Sequence, residues 1–238
     1  DGTRATGSLS GRLNRGLSER GDLLFDGGYT GVTYTGTNLT DYANAFLGGT
    51  WSHERHASDV PYVRLATTHF EPTGRRPSSD GLDALIGLRR STSQRLNWEI
   101  AVGGNRVWGE NPRNGWIGDF SMSYERTPRT RFAFAVSRSV TPSGEGELTE
   151  AGRLSANWQY ELSEYGRVGA DVFWRDTRGT APDTTSGVSV WANRELSPAW
   201  SLRLSYAFRQ QEPQGGAKAS GHTVALVLSC AHPMLSLF

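Results

Sequence analysis

The chemistry-bearing residues of this chain are few and scattered. Of its five histidines, His53 and His56 lie three apart in TWSHERHASD. A zinc hydrolase helix needs its histidines at i and i+4, so HERH reads as a polar turn. His69 falls near one end of an apparent strand, and His222 opens the last one. A Ser–His site needs a serine within hydrogen-bond reach of the imidazole and a third group to orient it. Serines are plentiful, but no diagnostic motif surrounds His69. Cys230 is the single cysteine, so no disulfide forms within this sequence. No glycine-rich phosphate loop stands between a strand and a helix, and DTRGTAPDTTSG (176–187) lacks the spacing of a calcium loop. These patterns predict no catalytic residues, no metal ligands and no cofactor. The chain is not expected to be an enzyme.

What remains is a regular spacing of charge and aromatic rings, and that spacing points to the elements beneath it. In WSLRLSYAFRQ (200–210), Trp200, Leu202, Leu204, Tyr206 and Phe208 alternate with Ser201, Arg203, Ser205, Ala207 and Arg209. This period of two is the mark of a strand with two unlike faces. It recurs in Leu96, Trp98, Ile100 and Val102, in Trp116, Phe120, Met122 and Tyr124, and in Leu154, Ala156, Trp158 and Tyr160. It recurs again in Val168, Ala170, Val172 and Trp174 and in Val224, Leu226 and Leu228. No stretch carries a competing helical period. About thirteen strands result. Trp191 falls on the polar parity of its strand, which predicts that 186–194 is shifted, bulged or plug-facing. The glycines of GGYTG and GGT read as packing or bulge positions.

The connections are of two kinds. STSQR (91–95), ERTPRT (125–130), ELSEYG (161–166) and ELSPAW (195–200) are short. EPTGRRPSSDG (71–81), GENPRNG (109–115), TPSGEGELTE (141–150), DTRGTAPDTTSG and RQQEPQGGAKASG (209–221) are longer. From residue 71 onward the two kinds alternate, as in an up-and-down barrel with short turns at one rim and long loops at the other.

Composition decides which side is dry. Only 36% of residues are hydrophobic, yet eight are tryptophan, and the mean hydropathy is -0.51. A barrel of a dozen or more strands encloses a space too wide for side chains to fill, so an apolar lumen is unfavourable in water. Lipid outside and water inside satisfies both faces, and closure leaves no backbone edge in hydrocarbon. No apolar run is long enough for a spanning helix. The formal charge of +1 gives no electrostatic case for nucleic acid.

The polar parity then predicts the pore-lining residues Arg12, Arg64, Asp83, Arg89, Glu99, Asp119, Glu125, Arg131, Arg167, Asp171, Arg175, Arg203 and Arg209. Residues 80–125 form an acidic wall and 160–210 a basic one, which would set a transverse field. Trp98, Trp116, Trp158, Trp174, Trp200 and Phe208, near strand ends, are the expected membrane-interface rings.

In this pattern the whole chain resembles a bacterial outer-membrane β-barrel. The fold class expected is all-β, an antiparallel up-and-down transmembrane barrel of about 14 strands (12–16) in one domain over 1–238. Members of that family end in an aromatic residue read by the barrel insertion machinery. Phe238 stands in that place, although His232 and Pro233 interrupt the final segment. The family has even strand numbers, so thirteen strands imply an extra strand in 22–53 or a missing preceding segment. The latter case would resemble the C-terminal barrel of exopolysaccharide-export outer-membrane proteins. The resemblance implies a porin-like pore or export channel for hydrophilic solutes or polysaccharide in the Gram-negative outer membrane. Its alternatives are a non-conducting barrel that anchors a partner complex and an outer-membrane lipid hydrolase. The implied partners are outer-membrane lipid, the insertion machinery and a periplasmic or envelope protein.

Overall fold

The computed structural model describes residues 2–74, 76–109, 112–179 and 181–230. Phe238, His232 and Pro233 lie outside the described residues. The described residues form thirteen strands, β1 (Thr3–Ser18), β2 (Gly21–Thr35), β3 (Tyr42–His53), β4 (Asp59–Pro72), β5 (Ser79–Ser93), β6 (Leu96–Trp108) and β7 (Arg113–Thr127), followed by β8 (Thr130–Pro142), β9 (Leu148–Ser163), β10 (Gly166–Arg178), β11 (Asp183–Ser197), β12 (Trp200–Pro213) and β13 (Ala219–Cys230). Each pairs antiparallel with the next, in chain order, in one sheet. There is no helix among the described residues. The stretch 22–53 holds two strands and no third. The thirteen strands among the described residues fall within the expected 12–16. With an odd number, β1 and β13 run in the same direction, and they form the two edges of the described sheet.

Register makes the two faces continuous from strand to strand, because directly opposed residues share a face. One face carries Leu204, Leu226, Val190, Val172, Phe134 and Ile100. Its rings and aliphatic chains stand in the open: Val224 is 71% and Leu226 67% exposed. The other face carries Arg64, Asp83, Glu99, Asp119, Asp171 and Arg203. In water the first face would be a large uncovered apolar belt, and monomeric soluble proteins rarely show one.

The charged face is the concave one. The tip of the β8–β9 hairpin shows this directly. By register Val140 and Leu148 belong with Val136 and Leu154 on the apolar face. Instead they pack with Val32, Tyr42, Phe70 and Val107 of β2, β3, β4 and β6, which lie on the charged face. The Gly144 carbonyl accepts the Thr40 N–H at 2.7 Å. In a flat sheet β2 and β8 would be about 29 Å apart, six inter-strand steps of roughly 4.8 Å. Contact between them requires the sheet to roll around the charged face, with the hairpin tip turned inward across one mouth. The rolled sheet has short turns at one rim and longer loops at the other, as the spacing predicts.

Candidate functional site

The concave face is built from strand alternation, and its charges divide into two groups. Near the short-turn rim they are paired. Arg131 donates to Glu125 at 2.7 Å, and Arg167 lies between Glu161 and Glu195 at 4.0 and 3.6 Å. Arg89 donates to Glu99 at 3.2 Å, and the Tyr62 hydroxyl donates to the same carboxylate at 2.6 Å. Deeper, Arg64 on β4 reaches past β3 to Asp26 on β2 at 2.9 Å. Gly48 makes this possible, since a Cβ there would stand 2.9 Å from an Asp26 oxygen and 3.2 Å from the Arg64 guanidinium. The GGT glycines thus serve packing, and β2–β3 has no register shift there.

Asp83 and Asp119 on one wall, and Arg175 and Arg209 on the other, make no ion pair among the described residues. The acidic and basic walls read from the sequence are thinner than their residue lists imply. Glu125 and Arg167 are neutralised by near neighbours and add little to a transverse field. Arg12 stands opposite Asp26 on β1 but forms no ion pair with it.

Asp171 organises the basic wall. It accepts from Asn157 Nδ2 at 2.5 Å, Ser189 Oγ at 3.2 Å and Trp191 Nε1 at 3.0 Å. The polar parity of Trp191 is now explained. Strand β11 is in regular register over 183–195, with neither shift nor bulge at residue 191. The indole faces inward, lies over Gly169 where a Cβ would sit 2.5 Å from the ring, and is covered by the Arg203 guanidinium at 4.7 Å. A cavity of about 850 Å³ opens beside this network, lined by Asn157, Asp171, Phe173, Ser121 and Ala135.

On the convex face all six expected interface residues are placed with the apolar set. Trp98, Trp158 and Trp200 lie toward the short-turn end, and Trp116, Trp174 and Phe208 toward the loops. Six residues separate the Trp98 level at Met122 from Trp116 on β7, a rise of roughly 20 Å along the strand. At the usual strand tilt of about 40° this projects to about 15 Å along the barrel axis, which lies within the apolar band of an outer-membrane barrel. His222 joins the loop-side ring, 2.8 Å from the Tyr206 hydroxyl and packed on Phe208.

No metal-binding group of His, Cys, Asp or Glu occurs among the described residues. His69 pairs with Asp80 at 2.8 Å on the convex face. Among the described residues no serine hydroxyl bonds its imidazole. The hairpin tip over the mouth was not legible to pattern reading, because Val140 and Leu148 keep the parity of lipid-facing residues.

A single rolled antiparallel meander, apolar outside and charged inside, defines an outer-membrane-type β-barrel. Comparison with solved structures finds the same fold. The outer membrane channel DcaP of Acinetobacter baumannii superimposes with a TM-score of 0.59 at 9% identity, over 94% of this chain and 84% of that one. The FrpB iron transporter from Neisseria meningitidis gives 0.60 at 8% identity, over 88% and 45%. The ferric citrate transporter FecA gives 0.58 at 11%, over 90% and 43%. The chain spans less than half the length of these two transporters. No protein-family model and no curated protein matches it in sequence. The neighbours are transporters and a channel, not enzymes.

Proposed function

We propose that the chain forms a water-filled barrel in the Gram-negative outer membrane that passes hydrophilic solutes, polysaccharide among them, along its charged concave face. The observation that carries this reading is the segregation of charge. Paired guanidinium and carboxylate groups line the concave side, while the convex side is an uncovered apolar belt with aromatic rings at two levels. The belt suits outer-membrane lipid, and insertion by the barrel assembly machinery accompanies that location. Ion pairs exposed to water cost little to keep, whereas the same groups on a lipid face would be expensive. The β8–β9 tip acts as the constriction of this passage, since it crosses the mouth and docks on the opposite wall.

The test is single-channel recording in planar bilayers with the refolded protein. Discrete steps that scale with salt are expected. A correctly folded, membrane-inserted protein without steps would overturn the reading.

A further inference from the structure

On the concave face Arg64, Arg89, Arg131 and Arg167 each meet a carboxylate. At the loop end of the convex face Arg138 and Arg178 meet Glu150 and Asp176 at 2.6 and 3.0 Å. Three arginines in the loop-side half of the concave face do not follow suit. Arg153 on β9, Arg175 on β10 and Arg209 on β12 are exposed and make no ion pair and no side-chain hydrogen bond among the described residues. Register sets Arg153 directly opposite Arg175, with Cα atoms about 5 Å apart. Like charges so placed repel and weaken a strand pair.

The two carboxylates that flank this cluster on its own wall do not relieve it. Asp171 is held by Asn157, Ser189 and Trp191. Asp183 accepts from Thr185 Oγ1 and Gln211 Nε2, each at 3.1 Å. Neither pairs with any of the three guanidinium groups. An apolar surface lies beside the charge. Phe173, two residues from Arg175 on β10, has the charged parity and is 38% exposed. Its ring reaches over Gly187, where a Cβ would stand 2.5 Å from it. Gly187 is opposed in turn by Arg209, whose strand lies roughly 10 Å from β10. Ser155 opposes Phe173 on β9, and its hydroxyl has no hydrogen-bond partner among the described residues. Polar groups that converge beside an apolar surface are the usual form of a small-ligand site, and arginine in a pore selects anions.

An inorganic anion would satisfy the arginines and leave Phe173 bare. A neutral sugar would cover the ring and leave the charge unmet. A pyranose that bears a carboxylate meets both, with the carboxylate bridging Arg153 and Arg175 and the C–H face of the sugar over Phe173. The next acidic unit of an oligomer would meet Arg209. We infer that this patch binds acidic saccharides of the uronate class. The inference deepens the proposed passage of hydrophilic solutes. It rests on the concave face being open to water, and not on measurable conductance.

The test is isothermal titration calorimetry of the whole chain in phospholipid nanodiscs with trigalacturonate, maltotriose and inorganic phosphate. Saturable binding of about one trigalacturonate per chain is expected, weakened by added salt, with phosphate at least tenfold weaker and maltotriose without binding. Arg175→Gln should weaken trigalacturonate at least tenfold, as for loss of a charge-assisted hydrogen bond. Phe173→Ala should weaken trigalacturonate and leave phosphate unchanged. Arg178→Gln, on the convex face, should alter neither. Arg153→Gln should raise the urea midpoint of the unliganded protein, because it removes the like-charge pair. Heat-modified electrophoretic mobility verifies that each variant is folded. Absent or non-saturable binding, phosphate as tight as trigalacturonate, or unchanged affinity in folded Arg175→Gln overturns the proposal. Binding in a protein that shows no channel steps would sink the pore and leave this site standing; channel steps without binding would do the reverse.

Discussion

Truncating Leu148 to alanine tests whether the hairpin tip is a docked constriction. Leu148 is 3% exposed, packed among Val32, Tyr42, Phe70 and Val107 from strands across the mouth. Buried Leu→Ala changes cost about 2–5 kcal/mol, the spread set by how far the site collapses. Here the pocket borders water and the tip can relax, so the low end applies, about 2–3 kcal/mol. This contact joins the tip to the far wall and not the strands to each other. The cost therefore falls on docking, shifting the docked-to-undocked ratio by about 30- to 150-fold at 1.4 kcal/mol per decade. The tip segment SGEGEL carries Glu145 at its turn, so glutamyl endopeptidase, followed by mass spectrometry of the 145/146 cut, reads the undocked population. Cleavage tracks that population when opening is fast relative to proteolysis. The expected result is a rise of at least tenfold in cleavage rate at Glu145, together with larger and noisier single-channel currents. Leu226→Ala on the convex face serves as control and should leave both unchanged. A Leu148→Ala rate within twofold of the parent would refute the docking argument.

Asp171→Ala should leave the Asn157, Ser189 and Trp191 donors without their shared acceptor, at a cost of about 2–4 kcal/mol; urea midpoints in detergent micelles measure it, and Trp191→Phe should cost less, about 1 kcal/mol. Leu204→Arg should destabilise the bilayer-inserted protein by about 2–4 kcal/mol, whereas Ser205→Arg, on the opposite parity, should change it by under about 1 kcal/mol; a larger penalty for Ser205→Arg would mean the faces are reversed, and equal penalties would refute the assignment. In single-tryptophan variants, brominated phospholipid should quench Trp116 and Trp200 strongly and leave Trp191 nearly untouched, since Trp191 is stacked between Gly169 and Arg203 inside the wall.

The parts of this molecule that a period of two determines were readable in advance. A strand whose faces meet lipid and water must alternate, and one residue of slip would reverse every side chain. The expected pore-lining residues therefore share one face, and the expected interface residues the other. Trp191 shows the limit of that reasoning. Its parity put the ring on the polar face, but the cause lay in a partner 20 residues away in the chain, Asp171, itself held beside Asn157 by register. Charge pairing was equally hidden. Arg64 meets Asp26 across an intervening strand, past a glycine whose role is space, and sequence spacing carries no trace of which carboxylate a guanidinium reaches.

Where the chain departs from a uniform barrel, alternation misleads. Val140, Leu148, Arg138 and Glu150 keep the rhythm of wall residues while the hairpin that carries them leaves the wall. Turning the tip inward narrows the mouth, and beside it β7 and β8 pair no further than Gly118 and Arg138. The backbone groups freed along Arg113–Ile117 and Ser139–Pro142 need a polar neighbourhood, because an unpaired amide facing hydrocarbon is costly. The ion pair of Arg138 and Glu150 provides one at the level where the strands separate. Charged side chains at that point are therefore not an error in the lipid-facing pattern; they are what allows the wall to open there.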